Sequence, residues 1–279
     1  IHRSFDFDFI NQFLIQPIHS GDIRAEIHSQ RRVVAQEARD LAGTHSADLA
    51  RLAGALDAWN KELIEPVFPG AGGDIRLRTE DGEIRFGPNN FVVRARGDFV
   101  KHGVVAVVFD VPSDQRGGMD DTFRLGEQHT GDVAAVIAVL KKRFPALPFF
   151  AIGTSRGTVS AASIGKRLPD QLAGTVLTSS LLLPGRRGGQ QGLSGFDFSA
   201  IKPRLLFAHH KQDGCVFTPY RSAAALESRY PLISVSGGSP AQSGPCDPFS
   251  EHGFFGRESE TVEAIVNWML EKPYKKEIP

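Results

Sequence analysis

Hydrophobic positions fall along this chain in two rhythms. Short runs with little polar interruption, "VVAVVFD" (Val104 to Asp110), "ALPFFAIG" (Ala146 to Gly153) and "PRLLFAHH" (Pro203 to His210), have the composition of strands buried on both faces. Between them the spacing changes to three and four. In "HTGDVAAVIAVLKKRF", Val133, Val136, Ile137 and Leu140 mark one helical face, Thr130 or Asp132 stands where a cap belongs, and Lys141 to Arg143 lie at the C-terminal end. Strands and helices alternating in this way predict a mainly parallel central sheet with crossover helices on both faces.

The alternation continues through a helix ending near Leu168, a strand "LAGTVLTSSLLL" (Leu172 to Leu183) and a glycine-rich loop, "PGRRGGQQGLSG". A helix with proline in its first turn, "TPYRSAAALESRY", a last strand, "PLISVSGG", and an amphipathic helix, "ESETVEAIVNWMLEK", close the fold. Toward the beginning, "FINQFLIQPI" and "DIRAEIHS" read as an antiparallel start, and "ELIEPVF" (Glu62 to Phe68) as a strand entering "PGAGG". Between these, residues 33–61 read as an alanine-rich helical insertion with Leu41, Leu49, Leu52, Leu56 and Trp59 as its buried stripe. No repeat or low-complexity linker divides the chain, so residues 1–279 are expected to form a single domain around one sheet.

Composition narrows the function classes. With 41% hydrophobic residues the chain has material for a sizeable core, and 32 basic residues balance 32 acidic ones, so no net field favours nucleic acid or anionic lipid. The longest apolar runs fall short of the roughly 20 residues a membrane-spanning helix needs. Neither nucleic acid nor membrane is therefore an expected partner.

Candidate chemistry centres on "FFAIGTSRGTVSAASIGKRL", where a buried strand breaks into Gly-Thr-Ser-Arg-Gly and becomes a helix of small residues. A Gly-x-Ser-x-Gly turn between strand and helix exposes Ser155 Oγ at the end of a sheet, and the helix N-terminus behind it supplies amide hydrogens to a developing oxyanion. An acid and a histidine follow in the order such a nucleophile requires. Asp213 lies just past the strand "LLFAHH", and His252 stands in "PCDPFSEHGFFG" after the last strand. Asp197, Asp247 and Glu251 are rival acids. A metal reading would gather His209, His210, Asp213 and a cysteine, but the spacing matches no zinc pattern, and neither metal nor organic cofactor is expected.

Two cysteines complete the picture. A bridge between Cys215 and Cys246 would fasten the acid loop to the histidine loop and imply a periplasmic or secreted protein. Two reduced thiols would instead leave a cytoplasmic location open.

On "AIGTSRGT", "HHKQDGC", "HGFFG" and "VVAVVFDVPSD" the sequence resembles the α/β-hydrolase superfamily, and within it the small bacterial esterases similar to dienelactone hydrolase. The resemblance covers about residues 62–272 and implies an α/β-hydrolase fold without a large lid domain. It also implies a serine hydrolase that cleaves a carboxylic ester or related acyl bond of a small-molecule substrate through Ser155, His252 and Asp213. A peptidase or amidase, and a non-catalytic binding protein on the same scaffold, are the alternatives. The family's oxyanion hole would fall on the amide of Arg156 and on that of Ala71 or Gly72. His102-Gly103 reads as a helix end and not as an oxyanion motif. The Arg156 side chain would pair with Asp110 or Asp114, or grip a substrate carboxylate, while Arg186 and Arg187 would meet anionic groups or simply face solvent.

Overall fold

The apolar runs become interior strands of one sheet because each must bury two faces at once. In the computed structural model, which describes residues 14–15, 64–80, 83–87, 90–185 and 191–279, the chain opens with β1 (Leu14–Ile15) and β2 (Ile64–Phe68). A hairpin of β3 (Arg78–Glu80) and β4 (Glu83–Arg85) follows, then helices α1 (Phe91–Arg94) and α2 (Arg96–Lys101). Next come β5 (Val105–Val108), α3 (Asp121–Leu125), α4 (Glu127–Arg143), β6 (Phe150–Thr154) and α5 (Gly157–Arg167). The chain ends through β7 (Gly174–Thr178), β8 (Arg204–His210), α6 (Tyr220–Ala224), β9 (Leu232–Val235), α7 (Glu258–Met269) and β10 (Glu277–Ile278).

The large sheet runs β1-β5-β2-β6-β7-β8-β9-β10, parallel throughout except for β1, which pairs antiparallel with β5 through Leu14↔Val108 and Ile15↔Val107. Alternate residues of each strand serve opposite cores. Ile152, Val176, Leu206 and Ile233 pack with α1, α2 and α7 on one side, while Ala151, Leu177, Phe207 and Leu232 pack with α4 and α5 on the other. Each of these valine, leucine, isoleucine and phenylalanine side chains taken fully out of water contributes roughly 1.5–3 kcal/mol. The strong β-branched composition of the runs is therefore the pattern of a doubly covered sheet.

Several boundaries differ from the sequence reading, each for a local reason. The strand expected over Leu172 to Leu183 ends at Thr178, because Ser179 turns into the left-handed region at φ +42°. Helix α4 begins at Glu127 behind Gly126, so neither Thr130 nor Asp132 caps it; Thr130 Oγ1 lies inside and donates to the Gly126 carbonyl. The helix expected over "TPYRSAAALESRY" shrinks to Tyr220–Ala224 behind Pro219, its second half becoming turns. "PLISVSGG" is not the last strand, since β10 adds one more beyond α7. Strands β3 and β4 pair antiparallel through Arg78↔Arg85, Thr79↔Ile84 and Glu80↔Glu83. His102-Gly103 does end a helix, with Gly103 at φ +84° after α2. The insertion at 33–61 and most of the expected N-terminal strand pair lie outside the described residues.

The sheet's carboxyl-terminal edge is where the chain concentrates its irregular segments. Residues 69–73 leave β2, Ser155 and Arg156 leave β6, residues 211–219 leave β8, and residues 236–252 leave β9. An open parallel sheet binds ligands at this edge.

Candidate active site

Ser155 sits at the tightest of these exits. Its φ of +56° is strained for a residue with a Cβ, and the surrounding backbone holds it there. The Ser155 N–H donates to the Thr178 carbonyl on the neighbouring strand, and the Ser155 carbonyl accepts from the Thr158 N–H and hydroxyl. Two glycines make the turn possible. A Cβ on Gly153 would overlap the Gly157 carbonyl, and a Cβ on Gly157 would overlap the Phe68 carbonyl. Helix α5 then runs buried from Gly157 to Gly165, which explains its string of glycine, alanine, serine and threonine: larger residues would push it off the sheet.

Asp213 and His252 meet beside it. Asp213 Oδ2 lies 3.1 Å from His252 Nδ1, and Thr218 Oγ1 donates to the same carboxylate oxygen at 2.8 Å. Asp213 Oδ1 accepts the Cys215 N–H at 2.9 Å, so both oxygens of this buried carboxylate are occupied. Thr218 Oγ1 also lies 3.1 Å from His252 Nδ1. The histidine backbone is tied as well, with the Ser179 hydroxyl donating to the His252 carbonyl at 2.7 Å. Carboxylate, hydroxyl and backbone contacts together fix the imidazole with Nδ1 toward the acid.

Ser155 and His252 line one cleft of about 330 Å³. Its walls include Pro69, Gly70 and Ala71 from the loop after β2, Ile75 and Arg76 ahead of the hairpin, and Asp247 and Pro248 ahead of the histidine. Gly70 lies hard against the serine, for a Cβ there would come within 3.1 Å of Ser155 Cβ. Ala71, at φ +48°, borders the cleft, whereas Gly72 lies behind it against Gly118. Among the described residues, the Ala71 and Arg156 amides are donors to no backbone carbonyl.

The two cysteines form a disulfide with Cα atoms 4.6 Å apart, joining the segment after Asp213 to the segment before His252. Both sulfurs are thus committed, and no metal site can draw on them. His209, fully buried, accepts the Ser180 N–H at Nε2, and desolvation pushes its pKa down to about 4. His210 packs against Phe254, with Nε2 at the Gly237 carbonyl and its pKa lowered by burial. Among the rival acids, Asp197 is spent on Ser199, whose hydroxyl and N–H hold its pKa down. Asp247 borders the cleft and takes the Gly244 N–H, and Glu251 begins the short turn that carries His252.

The arginines depart most from expectation. Arg156 pairs with neither Asp110 nor Asp114 but with Asp121 of α3, Nε to Oδ1 3.4 Å, and it is not among the residues lining the cleft. Asp110 is instead occupied by the backbone N–H groups of Ile75, Leu77 and Val111, and Asp114 accepts from Gln128. Arg186 and Arg187 lie outside the described residues. The residues that sequence reasoning missed are Thr218, Asn90, Arg76 and the pair Asp121 and Arg124. Of these only Thr218 had a local signal, as a hydroxyl in the same loop as Asp213.

No protein-family model and no curated protein sequence matches the chain. Solved structures do resemble it. Est1E from Butyrivibrio proteoclasticus shares 15% identity at a TM-score of 0.48 over 75% of this chain and 87% of its own. A serine hydrolase without lid from Xanthomonas campestris shares 16% at 0.46 over 73% and 82%. A monoacylglycerol lipase from Paleococcus ferrophilus shares 15% at 0.49 over 75% and 94%. At such identities and scores the likeness assigns no residue a role. The strand order with its antiparallel edge, the left-handed serine turn after β6, and the acid and histidine in the loops after β8 and β9 give this chain the α/β-hydrolase fold.

Proposed function

We propose that the protein is a serine hydrolase of the α/β-hydrolase superfamily, acting on a carboxylic ester or a related acyl bond of a small molecule. The observation that carries this reading is the buried contact between Asp213 and His252 Nδ1 on the wall of the cleft that Ser155 enters from a strained turn. With Nδ1 committed to the acid, Nε2 is the nitrogen that takes the Ser155 hydroxyl proton as Oγ attacks the acyl carbon. The oxyanion is met by the amides of Arg156 and Ala71, the latter preferred over Gly72 because Ala71 borders the cleft. Collapse of the tetrahedral intermediate expels the alcohol with the proton from His252. Water, activated by the same imidazole, then releases the acid and restores Ser155.

A cleft of about 330 Å³ suits a compact substrate. Its mixed walls, Ile75 and Phe91 beside Asp74, Arg76 and Asn90, suit a short or polar acyl group better than a long alkyl chain. The disulfide supports work in an oxidising compartment, periplasmic or extracellular. Among the described residues no helix is long and apolar enough to cross a membrane. The reading is tested with p-nitrophenyl acetate and the matching p-nitroanilide. Ester hydrolysis that disappears in folded Ser155→Ala supports it, and a native rate equal to that of the variant overturns it.

A further inference from the structure

Among the described residues Arg124 is the largest side chain with no exposure to water, and nothing in the proposed reaction uses it. A buried guanidinium is costly unless its donors are paired, so its partners show what the fold gains from it. Nη2 donates to the Ala71 carbonyl at 3.2 Å, Nη1 to Ser160 Oγ on the nucleophile helix α5 at 2.8 Å, and Nε to the Met119 carbonyl at 3.4 Å. One side chain therefore joins the loop after β2, the helix behind Ser155 and the segment leading into α3. Gly73 leaves room for it: at φ +83°, a Cβ there would lie 2.8 Å from Nη2.

One helical turn earlier on the same face of α3, the nearly buried Asp121 meets Arg156, the residue that follows the serine, at 3.4 Å. Its other oxygen accepts the Gly192 N–H at 2.8 Å. We infer that α3 is a clamp on the oxyanion hole, with Arg124 positioning the Ala71 side and Asp121 positioning the Arg156 side. The inference rests on the serine-hydrolase reading above.

Peptide geometry supplies the reason. In a trans peptide the C=O and the following N–H point in opposite directions, so fixing a carbonyl aims an amide. Three successive carbonyls of the loop are fixed: Gly70 by the Gly73 N–H at 2.9 Å, Ala71 by Arg124, and Gly72 by the Met119 N–H at 2.8 Å. The Gly70 carbonyl shares its peptide plane with the Ala71 amide, and Arg124 fixes the next plane, so together they hold Ala71 at φ +48°, where a non-glycine residue does not rest unaided, and keep its amide aimed. An oxyanion hole works to the extent that its donors are aimed before the charge appears. Burial lowers the Arg124 pKa to about 9, which keeps it protonated at neutral pH.

The test compares native protein with Arg124→Gln and Arg124→Lys, using p-nitrophenyl acetate turnover and inhibition by phenylboronic acid, whose tetrahedral adduct on Ser155 occupies the oxyanion position. Folding is checked by circular dichroism and thermal unfolding. In folded Arg124→Gln, kcat is expected to fall at least tenfold with KM within twofold of native, the boronate inhibition constant rising in proportion, and Arg124→Lys recovering part of both. Native-like kcat and boronate inhibition in folded Arg124→Gln would overturn the clamp. If Arg124→Gln does not fold, Ser160→Ala removes one anchor of the guanidinium. A two- to tenfold loss of kcat at constant KM then supports the clamp, and an unchanged kcat overturns it. A native protein that neither turns over ester nor binds boronate defeats the serine-hydrolase reading itself, a result distinct from both.

Discussion

Asp213 Oδ2 and His252 Nδ1 lie 3.1 Å apart across 39 residues of chain, with the carboxylate wholly out of water. A buried carboxylate facing one imidazole nitrogen selects the tautomer and stabilises the cation that forms when the other nitrogen accepts a proton. Asp213→Asn is expected to lower kcat by about 10³- to 10⁴-fold while leaving KM and the fold little changed. Steady-state kinetics with a small aryl ester checks this, and a loss below tenfold would remove Asp213 from the role.

Thr218 holds that carboxylate from the side opposite Cys215. A hydrogen bond to a charged group contributes about 1.5–3 kcal/mol, so Thr218→Val is expected to cost roughly tenfold to a hundredfold in kcat. Thr218→Ser, which keeps the hydroxyl, is expected to recover most of the rate. Recovery separates the hydrogen bond from the packing of the threonine methyl.

The disulfide spans 31 residues and couples the two loops that present Asp213 and His252. By the chain-entropy model it stabilises the fold by about 3–4 kcal/mol. A Cys215→Ser, Cys246→Ser double variant is expected to unfold at a markedly lower temperature. Below its own transition it should retain the Asp213 to His252 contact and measurable activity. Thermal unfolding followed by circular dichroism, with and without reductant on the native protein, measures the difference.

His129 lies buried between the rings of Phe68 and Phe123, with neither ring nitrogen hydrogen-bonded among the described residues. Desolvation, and then the nearby Arg124 charge, lower its pKa to about 3. His209 is lowered to about 4. Both groups stay neutral in the fold while the unfolded chain takes up protons from about pH 6.5 downward. Stability therefore falls on acidification through the window from about 6.5 to 4, at up to about 1.4 kcal/mol per pH unit for each group. His129→Phe removes one of the two and is expected to raise the unfolding temperature more at pH 5 than at pH 8. An equal change at both pH values would contradict the assignment.

What the sequence made legible, and what it hid, follow from how local each cause is. The run "FFAIGTSRGTVSAASIGKRL" contains the whole strand, turn and buried helix, and both glycine requirements of the turn are met within the five residues Gly153 to Gly157. Asp213 and His252 were legible from their order and from their loops at strand ends. Arg124 was not, because only the space above Gly73, distant in sequence, makes the arginine of "DTFRL" an interior group. The partner of Arg156 was misread for a related reason. Asp110 is near enough in the sheet to be an attractive candidate, but three backbone N–H groups claim it first. The two-residue β10 has no pattern of its own and exists because β9 offers an edge.

The central claim is that Ser155 is an activated nucleophile, and intact-protein mass after treatment with a fluorophosphonate tests it most directly. Native protein is expected to gain one phosphonyl group, mapped to Ser155 by peptide analysis, with the adduct absent in Ser155→Ala and strongly slowed in His252→Ala. A folded native chain that gains no mass, or gains it equally in Ser155→Ala, would contradict the account.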